Sequence, residues 1–263
     1  MEEWLVSQTL TDARLAAVLA ERAGAHLLKI RRWGEEQGMS PAEIGDLGDS
    51  QANDLILGAL AEARPADAFL SEESVDAPTR LRADRVWIID PLDGTREFRT
   101  PGRSDWAVHI ALWERTGVAT GRLSAGAVAV PALGSVYTTD RTVERAMSSS
   151  ADGSISVVVS ESRRPPLVDA LAARIPLTLV SMGSAGAKAM AVLRGEVDAY
   201  VHSGGQWEWD SAAPVAVALA AGLHASRIDG TPLLYNEANP YLPDLLICVP
   251  ELADRLLSTI AEL

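Results

Sequence analysis

The sequence predicts a mixed α/β (α+β) chain built from two unlike halves, and three observations carry that reading. Apolar residues recur at helical spacing over Thr11 to Trp33 and again over Ser50 to Ala63. Short β-branched and apolar runs then follow one another from Trp106 to Thr138, which suggests an antiparallel meander. Beyond Gly153 strands and helices alternate, the order of a parallel or mixed sheet. The polar stretch Thr142 to Gly153, with Ser148-Ser149-Ser150, divides the two, giving an α+β half over 1–145 and an α/β half over 146–263.

Taken in order, the first helix runs from a cap at Thr11 or Asp12 to Trp33 and carries His26, to which no role is assigned. Gly34 to Gly48 reads as a loop, and the second helix starts near Ser50 with Asp49 as its N-cap. Ala68-Phe69-Leu70 is a short strand delivering Ser71-Glu72-Glu73-Ser74, and Val86 to Ile89 is a buried strand. Trp106 to Trp113, Ala125 to Val130 and Gly134 to Thr138 form the meander. In the second half, strands at Ile155 to Val159, Leu177 to Val180 and Asp198 to Val201 alternate with helices at Pro165 to Ile175 and Ala185 to Arg194. A Gly204-Gly205 turn leads to an Ala/Val-rich helix opened by Asp210, with Trp207 and Trp209 as packing residues; a strand at Leu245 to Val249 and a helix from Pro250 end the chain.

Composition narrows the function. With 23 Lys+Arg against 36 Asp+Glu the formal charge is −13, so a nucleic-acid polymer or an anionic membrane surface is not the partner. A small anionic metabolite is compatible with that charge if carboxylate-bound metal ions reverse the local field. No run of about eighteen apolar residues occurs, and Met1-Glu2-Glu3-Trp4 does not begin a signal peptide, which predicts a soluble, unexported protein. The single cysteine, Cys248, lies in an apolar run and is core filler, consistent with the reducing cytoplasm.

The stretch that organises the chemistry is Trp87-Ile88-Ile89-Asp90-Pro91-Leu92-Asp93-Gly94-Thr95. Pro91 cannot donate to a ladder, so strand pairing is expected to stop there and the chain to turn. Asp90 and Asp93, with the Leu92 carbonyl, can then converge on one point, the oxygen-rich cluster that hard divalent cations take. A helix starting at Thr95 would present unpaired N–H groups of Gly94 and Thr95 to a phosphate at the same point. The same residues also spell an ordinary turn after an ordinary strand. Glu72 falls at the end of the preceding strand, so three carboxylates meet if the two strands are neighbours.

Three blocks in this order, Glu72-Glu73-Ser74, Trp87 to Thr95, and Trp209-Asp210-Ser211-Ala212-Ala213, resemble the inositol monophosphatase superfamily of magnesium-dependent, lithium-sensitive phosphatases. The resemblance implies a layered α-β-α-β-α fold with the site at the seam of the halves. It implies that Glu72, Asp90, the Leu92 carbonyl, Asp93 and Asp210 bind two or three Mg²⁺ ions, with Li⁺ as inhibitor. By the same resemblance Asp49, Thr95 and Asp93 are catalytic, Thr95 orienting the attacking water and Asp49 accepting from Thr95, while Gly94 and Thr95 cradle the phosphate. Arg96-Glu97-Phe98 and Trp106 to Leu112 are most similar to the bisphosphate nucleotidase branch, which removes the 3′-phosphate of 3′-phosphoadenosine 5′-phosphate. Arg96, Lys188 and His202 are the contacts expected for a second phosphate, and a cytoplasmic homodimer serving sulfur assimilation is the setting implied. The chain departs from that branch where only Asp49 survives of a Lys-x-Asp-x-Ser-Pro-Val-Thr stretch, and where Gly-Ser-Ser-Leu becomes Ser184-Ala185-Gly186-Ala187.

Other readings stay open at this level. The same metals would act on inositol phosphate or fructose 1,6-bisphosphate, and a regulator that binds metal and phosphometabolite without turnover would use the same carboxylates. Haloacid dehalogenase-like phosphatases use Asp-x-Asp-x-Thr, whereas here Pro91-Leu92 puts one residue too many between the acids.

Overall fold

A computed structural model describes residues 9–118, 120–141 and 153–263. The first helix, α1 (Asp12–Glu36), is capped by Thr11, whose hydroxyl accepts from the Arg14 N–H, and buries the stripe Leu15, Leu19, Ala23, Leu27, Ile30. The expected loop over Gly34 to Gly48 is corrected, because α2 spans Pro41–Ala63. Ser40 and Glu43 form a capping box: the Ser40 hydroxyl accepts from the Glu43 N–H, and the Ser40 N–H donates to the Glu43 carboxylate at 2.8 Å. Pro41 occupies the first helical position, where its missing N–H costs nothing. Asp49 is therefore an interior residue of α2, not an N-cap. The glycines that suggested a loop are there for close approach: a Cβ on Gly48 would lie 2.9 Å from Phe98 and 3.1 Å from Leu92, and one on Gly45 3.1 Å from Thr95.

The first sheet holds β1 (Ala68–Ser71), β2 (Arg85–Asp93), β3 (Ala107–Arg115), β4 (Gly121–Val130) and β5 (Ser135–Thr138), ordered β1-β2-β3-β4-β5. The antiparallel meander, expected over β3 to β5, extends from β2 to β5, while β1 is added parallel to β2. That parallel pair sets Ser71 beside Ile89, so Glu72 and Asp90 leave the same end of the sheet. Pairing does not stop at Pro91 as expected. Asp90 lies opposite His109 and Asp93 opposite Ala107, so two residues of β2, Pro91 and Leu92, face one of β3, Val108, and a bulge absorbs the proline. The short helix α3 (Thr95–Phe98) follows, entered through Gly94 at φ 88, a backbone region that favours glycine.

The second sheet contains β6 (Ile155–Ser160), β7 (Leu177–Met182), β8 (Ala199–Trp207), β9 (His224–Ser226) and β10 (Tyr241–Cys248), ordered β7-β6-β8-β10-β9. β6 is parallel to β7 and β8, and β10 runs antiparallel to its neighbours. Its helices are α4 (Pro166–Ala172), α5 (Ala185–Leu193), α6 (Glu208–Ala220) and α7 (Pro250–Ala261). The Gly204-Gly205 pair, expected as a turn, instead lies within β8 in a left-handed conformation, where the β10 register shifts between Leu242 and Asp244.

Side-chain alternation sorts the elements into layers. Trp87 and Ile89 of β2 pack with α1 and α2, while Val86 and Ile88 on the opposite face pack with α5 and α6. Tyr200, Leu245 and Ile247 of the second sheet close the same central layer from the other side. Val157, Leu246 and the buried Cys248 face α4 and α7. The order is α-β-α-β-α, with β1 to β5 before residue 141 and β6 to β10 after residue 153. The expected boundary, residues 142–152 of it, lies outside the described residues. Among the described residues no helix is long and apolar enough to cross a membrane.

Candidate active site

Three chain segments bring acids to one place: the ends of β1 and β2, and the start of α6 from the second half. Asp90, Asp93 and Asp210 each offer a carboxylate oxygen within 4.8 Å of the others. They line a cavity of about 290 Å³ together with Glu72, Leu92, Gly94, Thr95, Arg96, Lys188 and His202. Glu72 stands at its exposed rim, outside the group of three. Asp49 is not on the wall and reaches the site through Thr95, whose hydroxyl lies 3.2 Å from the Leu92 carbonyl and 3.4 Å from Asp49 Oδ1. A hydroxyl has one proton, so it donates to one of these two at a time.

Asp210, expected to open the helix, is instead the third residue of α6: Trp207 occupies the cap position, and its N–H donates to Asp210 Oδ2 at 2.6 Å. Asp90 accepts the Leu92 N–H at 3.0 Å within the bulge. Asp93 is gripped on one oxygen, Oδ2, which accepts from the Ser184 hydroxyl and from the Gly186 N–H at 2.7 Å and lies 3.2 Å from His109 Nε2. Ser184 and Gly186 belong to the start of α5, so Asp93 joins the two halves.

The fields of these acids act on one another. Burial, then Glu72, Asp93 and Asp210, pushes Asp90 well above the usual carboxylate range. Burial and Asp93 raise Asp210 to about 6, and desolvation with Asp210, Asp93, Glu73 and Asp49 raises Glu72 to about 8. Asp49 is raised to about 7 by burial and Glu73. Asp93 behaves oppositely: burial would raise it, but His109, Lys188 and Ser184 outweigh that and hold it below the usual range. Hard oxygen donors that repel one another around a common point fit a divalent cation, which would relieve the repulsion.

The residues expected to meet a second phosphate are differently placed. Lys188 is buried, donates to the Gly183 and Ser184 carbonyls at 3.2 and 2.6 Å and lies 5.1 Å from the Tyr200 ring centre; burial lowers it to about 8. Arg96 is exposed and paired with Glu97 and Glu161. His202 Nε2 lies 3.0 Å from the Gly205 carbonyl, and burial holds the ring below its usual value, a neutral imidazole. Sequence reasoning missed Ser160, Ser162, Arg163 and Gln206, which line the same wall from β6, the turn after it, and β8. The Arg163 guanidinium has no carboxylate partner among the described residues. Ser184 was noticeable only as a departure from a motif, and His109 only as part of a strand.

The chain matches a model of the inositol monophosphatase family over residues 2–262. It is 54% identical over 259 residues to a 3′-phosphoadenosine 5′-phosphate phosphatase of Mycobacterium leprae, covering 96% of this chain and 94% of that one. Among solved structures it resembles CysQ from Bacteroides thetaiotaomicron, a bacterial member of the same family, with TM-score 0.71 and 26% identity over 89% of this chain and 96% of the other. An inositol monophosphatase of Staphylococcus aureus shares the fold, with TM-score 0.75 at 19% identity over 93% of each chain.

Proposed function

The chain belongs to the inositol monophosphatase family, and from that membership we propose that it hydrolyses the 3′-phosphate of 3′-phosphoadenosine 5′-phosphate, giving AMP and phosphate, with Mg²⁺ as cofactor. It is a phosphomonoester hydrolase acting on a small phosphorylated metabolite. The observation that carries the mechanism is the meeting of Asp90, Asp93 and Asp210 within 4.8 Å at the cavity floor. Those carboxylates, with Glu72 and the Leu92 carbonyl, would hold the metal. When bound, Mg²⁺ neutralises the phosphate, acidifies a water and stabilises the leaving oxygen.

The protein's own groups supply the rest. Thr95, donating its proton to Asp49 or to the Leu92 carbonyl, keeps its lone pairs for a water proton and so orients that water. Asp49, raised to about 7, is poised to hold a proton passed through the Thr95 hydroxyl. Gly94, which lines the cavity and carries no side chain, would admit a phosphate close to the backbone. Inhibition by Li⁺, a homodimer, and a cytoplasmic place in sulfur assimilation accompany this reading, which the family likeness supports.

A substrate panel run with and without Mg²⁺ tests it: 3′-phosphoadenosine 5′-phosphate is turned over faster than inositol 1-phosphate and fructose 1,6-bisphosphate, and none is turned over in EDTA. A clear preference for inositol 1-phosphate overturns the substrate, and absence of turnover leaves a binding protein. For the second phosphate, Arg163 is a better cation than Arg96, which two carboxylates already engage. Arg163→Ala raises KM for the bisphosphate about tenfold or more, the scale of one lost charge-assisted contact, and changes KM for 3′-AMP little. Equal effects on both substrates would remove Arg163 from that contact.

A further inference from the structure

His109 is fully buried on β3 and belongs to neither the acidic group nor the cavity wall. Its register opposite Asp90 turns its ring toward the central layer, where its two nitrogens face different halves of the chain. Nδ1 lies 3.1 Å from the main-chain carbonyl of Trp209, the residue before Asp210. Nε2, buried without an aligned hydrogen-bond partner, lies 3.2 Å from Asp93 Oδ2. The ring is held tightly, for a Cβ on Gly186 would come within 2.1 Å of Nε2, and the Gly186 N–H itself donates to the same Asp93 oxygen.

We propose that His109 is a positioning residue that sets the separation of Asp93 and Asp210, spanning from the Asp93 carboxylate to the backbone beside Asp210. The proposal rests on the reading that these carboxylates hold a divalent cation. Asp93 comes from the first sheet and Asp210 from α6, so the distance between them is set by contacts between elements. The imidazole is a rigid spacer of the right length. It lies against Oδ2, the oxygen that also accepts from the Ser184 hydroxyl and the Gly186 N–H, the hydrogen bonds to the Asp93 side chain among the described residues. Oδ1 is thereby left for the cation, in a fixed orientation. Groups that orient a liganding side chain in this way typically change metal affinity by about 10 to 100-fold when removed.

The test reads metal binding apart from turnover. Mn²⁺ affinity is measured by electron paramagnetic resonance on wild type, His109→Leu and His109→Gln, with the Mg²⁺ activation constant and substrate KM alongside. His109→Leu weakens Mn²⁺ about tenfold or more and raises the Mg²⁺ activation constant in parallel, with substrate KM at saturating Mg²⁺ nearly unchanged. His109→Gln, whose amide reaches as far as Nε2, recovers most of the affinity. A folded His109→Leu that binds Mn²⁺ within twofold of wild type overturns the proposal, as do equal losses in Leu and Gln. A wild type that binds no Mn²⁺ sinks the underlying reading with it. On the unsubstituted protein, ¹⁵N spectroscopy of the histidines shows a proton on Nε2 of His109 and a shift of that resonance on Mg²⁺ addition; a bare, unresponsive Nε2 overturns the proposal without any variant.

Discussion

Asp93→Asn folds and loses phosphate release by about 10²–10³-fold at saturating Mg²⁺, the scale on which removing one pre-aligned polar group acts in other sites. The fold survives because the amide can turn its oxygen to the donors that now meet Oδ2, the Ser184 hydroxyl and the Gly186 N–H, both of which the Asn side chain can accept. That same turn aims its NH₂ at the place where Asp90 and Asp210 converge, so a donor replaces an acceptor and a cation is repelled. The reverse rotamer would present oxygen to the cation but oppose NH₂ to two buried donors, at roughly 1–3 kcal/mol for each group left unsatisfied. That cost disfavours the reverse rotamer, so the site is lost while the seam holds. Circular dichroism and thermal melting check the fold, and phosphate release checks the site; turnover within tenfold of wild type would remove Asp93 from the metal reading.

The acids themselves were legible in the sequence because each follows a strand or opens a helix, and local pattern locates such positions. Glu72, Asp90, Asp93 and Asp210 line one cavity although they are drawn from three separate segments. What sequence pattern misreads is whatever depends on a neighbour. Gly45 and Gly48 carry a loop's composition, and only the closeness of Thr95, Leu92 and Phe98 explains why they sit in a helix. Once they are helical, Asp49 moves from cap to interior, and its link to Thr95 becomes a contact between helix and turn rather than a feature of either. Pro91 stops a regular ladder but not a bulged one, and the bulge is what sets Asp90 opposite His109. His109 carries no local mark at all. Its significance lies in two distances to residues at positions 93 and 209, which no spacing rule connects.

Without Mg²⁺, Asp90→Asn melts higher than the wild type by a few degrees, yet with Mg²⁺ it releases almost no phosphate. Asp90 is 1% exposed and surrounded by Glu72, Asp93 and Asp210, and the Asn oxygen retains the one bond made to Leu92 N–H. Substitution therefore replaces a carboxyl that the empty site forces to take up a proton with a side chain that is already neutral, and it keeps the geometry, which favours the empty fold, while the cation loses a ligand. The pH dependence follows the same logic. Asp210, Asp49 and Glu72, at about 6, 7 and 8, all titrate above their unfolded values near 4. Between roughly pH 4 and 8 the folded state thus binds more protons than the unfolded one, and stability in EDTA falls as pH rises through that window. In Asp90→Asn the fall is shallower, because the raised carboxyl of Asp90 itself no longer takes up a proton in the folded state. Saturating Mg²⁺ flattens or reverses it in the wild type, since the cation binds the deprotonated acids. Melting at pH 5 and pH 8, with EDTA or Mg²⁺, reads all of these together. An Asp90→Asn protein that melts several degrees below wild type in EDTA would mean that the Asp90 carboxylate holds the fold together, and the opposition between an electrostatically strained site and a stable apo chain would not hold.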